Sequence, residues 1–184
     1  MQHALLAYAS THGQTAKIAT RIAEHLRTAG LDVTLHRMGD GEPPDAGGFD
    51  LVVVGASVHA GHHQRVIADW VKSSLPALGS RPSAFFSVSL TAAEDSEEAR
   101  ATSAELIAEL TRETGWQPPL TVALAGALQY AEYDVFTRLL MRVIARSHGQ
   151  PTDPHEDLEY TDWDAVESFA ARCADQVSGT LAAT

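Results

Sequence analysis

Apolar residues gather in four nearly unbroken runs, Ala4 to Tyr8, Leu51 to Gly55, Ala84 to Val88 and Leu120 to Ala125. Runs of this length read as strands buried on both faces, as in a parallel sheet covered on each side. Leu31-Asp32-Val33-Thr34-Leu35 alternates instead and predicts a half-exposed strand at the sheet edge. Between the strands, apolar positions recur at helical spacing over Thr15 to Ala29, Gln64 to Ser74, Glu97 to Thr114, Tyr130 to Ser147 and Trp163 to Val177. Strand and helix alternate throughout, so the strands run parallel and are joined by right-handed crossovers. An open, doubly wound α/β sandwich in one domain spanning residues 1–184 follows, and a closed barrel would need about 250 residues. In such a sheet ligands collect beyond the carboxyl ends of the strands, where the winding reverses.

Composition narrows the partners. Thirteen Lys and Arg stand against 24 Asp and Glu, a formal charge of −11, which repels nucleic-acid phosphates. One cysteine, Cys173, forms no internal disulfide and suits a reducing compartment, so the protein is expected to be cytoplasmic. The first residues carry neither a basic segment nor a long apolar core, and no secretion signal is expected. No apolar stretch approaches the ~20 residues that span a bilayer.

The chemistry is concentrated where strands end. Ala7-Tyr8-Ala9-Ser10-Thr11-His12-Gly13-Gln14-Thr15 leaves the first strand and opens the first helix. Its hydroxyls, its glycine and the free amides of the helix start suit a phosphate, although the same residues also make a plain tight turn and cap. Lysine before Thr15 is missing, as is Gly-x-Gly-x-x-Gly, so neither a nucleoside triphosphatase nor a dinucleotide fingerprint is supported. After the third strand comes Gly55-Ala56-Ser57-Val58-His59-Ala60-Gly61-His62-His63, small residues that let a flat ring approach and imidazoles that flank it. These three histidines lack the Cys or Glu partners of a zinc site, and no metal is expected. Ser87-Val88-Ser89-Leu90 and Gly126-Ala127-Leu128-Gln129-Tyr130 complete the rim, Tyr130 being placed either to stack on a ring or to begin a helix. Trp70, Trp116 and Trp163 read as packing residues, and Thr161 or Asp162 as the cap of the last helix. Arg138, Arg142 and Arg146 recur at four-residue spacing beside Leu139, Leu140, Val143 and Ile144. That stripe offers guanidinium groups to an acidic substrate or to lipid headgroups, or is simply the solvated side of a packed helix.

The Ser10-Thr11-x-Gly13-x-Thr15 loop, the element order and the Gly55-Ala56-Ser57 strand end resemble a flavodoxin-type domain that binds flavin mononucleotide (FMN). Val54 to His62, Pro82 to Leu90, Ala125 to Tyr130 and Tyr160 to Trp163 resemble the flavodoxin-type, menaquinone-dependent protoporphyrinogen IX dehydrogenases. The resemblance implies a three-layer sandwich with a five-stranded parallel sheet in the order 2-1-3-4-5. It implies an FMN-dependent oxidoreductase of haem biosynthesis that oxidises a porphyrinogen, or another reduced small molecule, and passes electrons to a quinone. Ser10, Thr11, His12, Gly13, Gln14 and Thr15 would hold the phosphate. Ser57, Val58, His59, Ala60, Gly61, Ser87, Val88, Ser89, Leu90, Gly126, Ala127, Leu128, Gln129 and Tyr130 would frame the ring. His59 or His62 would move protons, and Arg138, Arg142 and Arg146 would touch the inner face of the cell membrane peripherally. Thr91 to Glu98 departs from those enzymes in being acidic. An electron-carrying flavodoxin without a substrate of its own is the alternative, and self-association is left open.

Overall fold

The computed structural model describes residues 1–128 and 158–181. In chain order these form β1 His3–Ala9, α1 Gln14–Thr28, β2 Asp32–Arg37, β3 Leu51–His59, β4 His62–His63, α2 Arg65–Leu78 and β5 Ser83–Ser89. α3 Glu97–Thr114, β6 Leu120–Ala125, β7 Ala127–Leu128, β8 Leu158–Glu159 and α4 Trp163–Leu181 follow. The five long strands lie side by side as β2-β1-β3-β5-β6 and every neighbouring pair is parallel. Counted by the long strands alone, that is the expected order 2-1-3-4-5. Two small antiparallel pairs are added, β4 folding back on β3 and β7 on β8.

Alternate residues of each strand feed opposite faces. Leu6, Tyr8, Val53, Phe86 and Val88 pack with Ile18, Ile22 and Leu26 of α1 and Val166, Phe169 and Cys173 of α4. Leu5, Ala7, Val52, Val54 and Phe85 pack on the other side with Ile67, Trp70 and Val71 of α2, Leu110 of α3, and Trp116. Covering both faces is what makes the strand sequences continuously apolar. Edge-on ring contacts, Phe86 with Phe169 and Phe85 with Trp116, each 6.1 Å between centroids, tie strand β5 to the cores on both faces of the sheet. Cys173 lies in the first core, where burial raises its thiol to about 12 and leaves it an apolar filler.

Some boundaries differ from expectation for local reasons. α2 runs through Pro76 to Leu78 rather than stopping at Ser74. Proline there falls in the last turn, where its missing N–H frees a single carbonyl. The guanidinium of Arg81 then accepts the role of cap, donating from Nε to the Ala77 carbonyl and from Nη1 to those of Ala46, Gly47 and Phe49, all at 2.7–2.8 Å. β3 continues past Gly55 to His59 because β4 pairs with its final residues. The helix expected over Tyr130 to Ser147, with Arg138, Arg142 and Arg146, lies outside the described residues. Among the described residues no helix is long and apolar enough to cross a membrane.

Candidate functional site

The winding reverses between β1 and β3, since the chain goes outward from β1 to β2 and then returns across β1 to β3. The ladder between them ends at Ala9 and Ala56, so the loops leaving those residues flank one crevice. On the β1 side, Ser10 Oγ accepts from the Gly13 amide at 3.0 Å, and Gly13 turns the chain at φ 91°. No side chain caps α1, whose first ladder bond runs from Lys17 N to Gly13 O. Its leading amides and dipole therefore face the crevice side of the loop, the arrangement that receives an anion.

The six residues expected here divide in two. Thr11, His12 and Gly13 are exposed and Ser10 partly so, while Gln14 and Thr15 are buried. The Gln14 side chain donates to Thr161 Oγ1 at 2.8 Å, and Thr161 donates to the Ala125 carbonyl at 2.8 Å. Gln14 thus anchors the loop from beneath, leaving its backbone amide for an anion. Thr161 is in this way an anchor rather than a cap, and Asp162 Oδ1 accepts from Ala165 N to cap α4. Glu159 completes the tie, receiving Lys17 Nζ at 3.2 Å and Trp163 Nε1 at 2.9 Å. Burial pushes its carboxyl up, but hydrogen bonds from Lys17, Trp163 and Gln14 outweigh this and hold it below the usual range.

On the β3 side a two-residue turn, Ala60 at φ 50° and Gly61 at φ 85°, reverses the chain between His59 and His62. Positive φ at both central residues is the requirement of the tightest hairpins, and Ala60 is the one non-glycine in that region among the described residues. The residues expected to follow the third strand therefore extend it and fold back on it as a hairpin. Gly55 has a different role from the one anticipated, since a Cβ there would lie 2.0 Å from Cζ of Phe86. The missing side chain makes room for a core ring rather than for a ligand.

The three histidines find three different surroundings. The His59 ring sits 6.2 Å from that of His12, tilted by 54°, bridging the two exposed lips of the crevice. His62 Nδ1 is 3.0 Å from Glu109 Oε1 on α3. His63, expected only as one of three imidazoles flanking a ring, is the one drawn inward, with Nε2 2.8 Å from Ser87 Oγ and its ring edge-on to Phe85 at 5.3 Å. Burial pulls His63 down to about 4, overcoming the opposing influence of Glu109 and Glu113, with His62 lowering it further. Its imidazole is neutral at physiological pH. A strand of two residues carries no periodicity that would have marked it.

The remaining rim is mostly interior. Ser87, Val88 and Ser89 are buried at the end of β5, Ser87 engaged by His63 and Ser89 Oγ accepting from Ala92 N at 3.2 Å. Leu90 is partly exposed. Gly126 is clamped between Ser89 O and Tyr160 N, and a Cβ on it would press on Val88 Cγ1 at 3.3 Å. Ala127 and Leu128 form β7, while Gln129 and Tyr130 lie outside the described residues. One site neighbour escaped the sequence reading. Gln64, expected only as the first residue of a helix, turns its side chain to Thr11 and Ser57 across the crevice.

Residues 5–155 match the Flavodoxin domain family. The chain is 31% identical over 170 residues to protoporphyrinogen IX dehydrogenase (quinone) of Escherichia coli strain K12, covering 92% of this chain and 93% of that one. It is 34% identical over 172 residues to the protein of the same name from Leishmania major, covering 91% and 72%. Among solved structures it superposes on a flavodoxin from the domain Archaea with TM-score 0.54 and 20% identity, over 96% of this chain and 99% of that one. The uncapped helix start beside Ser10, Thr11 and Gly13 suits the phosphate of the family's cofactor. The chain belongs to the flavodoxin domain family and is a flavodoxin-like oxidoreductase that uses FMN.

Proposed function

We propose that the protein oxidises protoporphyrinogen IX and passes the electrons to a quinone. The observation that carries this reading is the likeness, over nearly the whole length of both chains, to the Escherichia coli protein of that name. When bound, FMN supplies an acceptor for electrons taken singly or as a hydride, so the protein needs no nucleophile of its own. The chain's part is to hold, orient and shield. Amides at the start of α1, with the hydroxyls of Ser10 and Thr11, would take the phosphate, and the hairpin from Ser57 to Gly61 with Leu90 and Gly126 would border the ring. Gln129 and Tyr130 are proposed to close the same border.

His59, exposed beside His12 at the crevice mouth, is the imidazole best placed to move a proton between substrate and solvent. His62, held by Glu109, serves that exchange from farther along the hairpin. The segment from Thr91 to Glu98 bears Glu94, Asp95, Glu97 and Glu98. Its field turns propionate groups away, so the substrate approaches from the side of His12 and His59. Arg138, Arg142 and Arg146 are proposed as the contact with anionic headgroups through which a membrane quinone is reached.

Anaerobic mixing of the FMN-loaded protein with protoporphyrinogen IX and a menaquinone analogue tests the reading. Porphyrin fluorescence should rise at a rate that depends on both protein and quinone. Flavin-loaded protein that leaves porphyrinogen unchanged while reducing a redox partner would overturn it.

A further inference from the structure

Three polar side chains from three elements meet at the crevice. Gln64, between β4 and α2, directs one amide nitrogen, Nε2, at two hydroxyl oxygens: Thr11 Oγ1 at 3.1 Å and Ser57 Oγ in a close contact. The two hydroxyls are 3.5 Å apart, one on the phosphate loop and the other near the end of β3. Gln64 stands at the N-cap of α2 but makes no side-chain cap there, its amide being committed to the hydroxyls. The amide oxygen is buried without a hydrogen-bond partner. Turning the amide over would instead bury an orphaned NH2, the rarer condition in proteins.

A hydroxyl has one hydrogen to give and two lone pairs to receive. With both amide hydrogens of Gln64 spent on the lone pairs of Thr11 and Ser57, neither hydroxyl hydrogen is needed toward Gln64, and each is free to turn from the long 3.5 Å contact between the hydroxyls to a stronger acceptor such as a phosphate oxygen. We infer that Gln64 is a positioning residue that fixes the Thr11 and Ser57 hydroxyls as donors toward the phosphate of FMN. The inference rests on the reading of this crevice as the FMN site. It assigns phosphate preference to a residue outside the loop that receives the anion.

The test compares FMN with riboflavin, which differ at the phosphate. Flavin-free full-length protein is titrated with each, following flavin fluorescence. Gln64→Glu places acceptors where the donors were, so both hydroxyls turn inward and a negative charge faces the phosphate. Gln64→Met removes the donors without adding charge. The preference for FMN over riboflavin should fall roughly 100-fold in Gln64→Glu and roughly tenfold in Gln64→Met, with riboflavin affinity changed less than about twofold. Retention of the full preference in both variants would overturn the inference, as would an equal loss of both ligands, which marks a residue that only braces the loops. Should Gln64→Glu fail to fold by circular dichroism, Gln64→Met decides. Wild-type protein that binds neither flavin would instead overturn the assignment of the crevice, and this inference with it.

Discussion

Phe86 and Gly55 show how one residue's identity is set by another's volume. The Phe86 ring fills the place of a Cβ at Gly55, with three of its carbons within 2.6 Å of that point. Gly55→Ala should destabilise the protein by about 3 kcal/mol through overpacking, read as an earlier midpoint in urea with an unchanged slope. His63 makes the second prediction at this scale. Its folded value of about 4 lies under the ordinary 6.5, so between those pH values the unfolded chain holds the extra proton. Stability contributed by neutral His63 is therefore complete above about pH 6.5 and is lost as pH falls toward 4, on the order of 3 kcal/mol. His63→Gln should flatten urea midpoints over that range while leaving the acid loss due to Glu159 in place. Neither residue's role was visible in sequence. Gly55 looked like ligand clearance because the ring that needs the space arrives from another strand, and His63 was one imidazole among three.

At the scale of elements, the long strands and α1 were readable because burial on both sheet faces and on one helix face leaves a period in the sequence. β4, β7 and β8 were not, each being two residues long and defined by pairing rather than by pattern. The loop after β1 was readable as a loop, yet the anchoring of Gln14 at its end rests on Thr161, which is remote in sequence. The α2 end was misjudged because proline suggests a stop and Arg81 supplies the carbonyl partners beyond it. Arg81→Met keeps the aliphatic stem and removes every donor, leaving the carbonyls of Ala46, Gly47 and Phe49 short of partners while that of Ala77 keeps the Ser80 amide and hydroxyl. A loss of about 2–3 kcal/mol in urea denaturation is expected, with FMN affinity nearly unchanged because these contacts lie at the opposite end of the strands from the crevice.

For the molecule as a whole, charge acts over distances that no single contact covers. A net −11 opposes the approach of a substrate that carries carboxylates. Added salt shortens the screening length to about 10 Å at 0.1 M, so kcat/KM for the proposed substrate, protoporphyrinogen, should climb between low and physiological ionic strength. A fall would place an attractive basic surface on the substrate's path. The two-sided core also dictates when a new chain is able to fold. Ile18, Ile22 and Leu26 near the start are roofed by Val166, Phe169 and Cys173 near the far end. During synthesis β1, β2 and β3 are available to back those early side chains, but the flank that α4 covers stays open to water until α4 itself has been made.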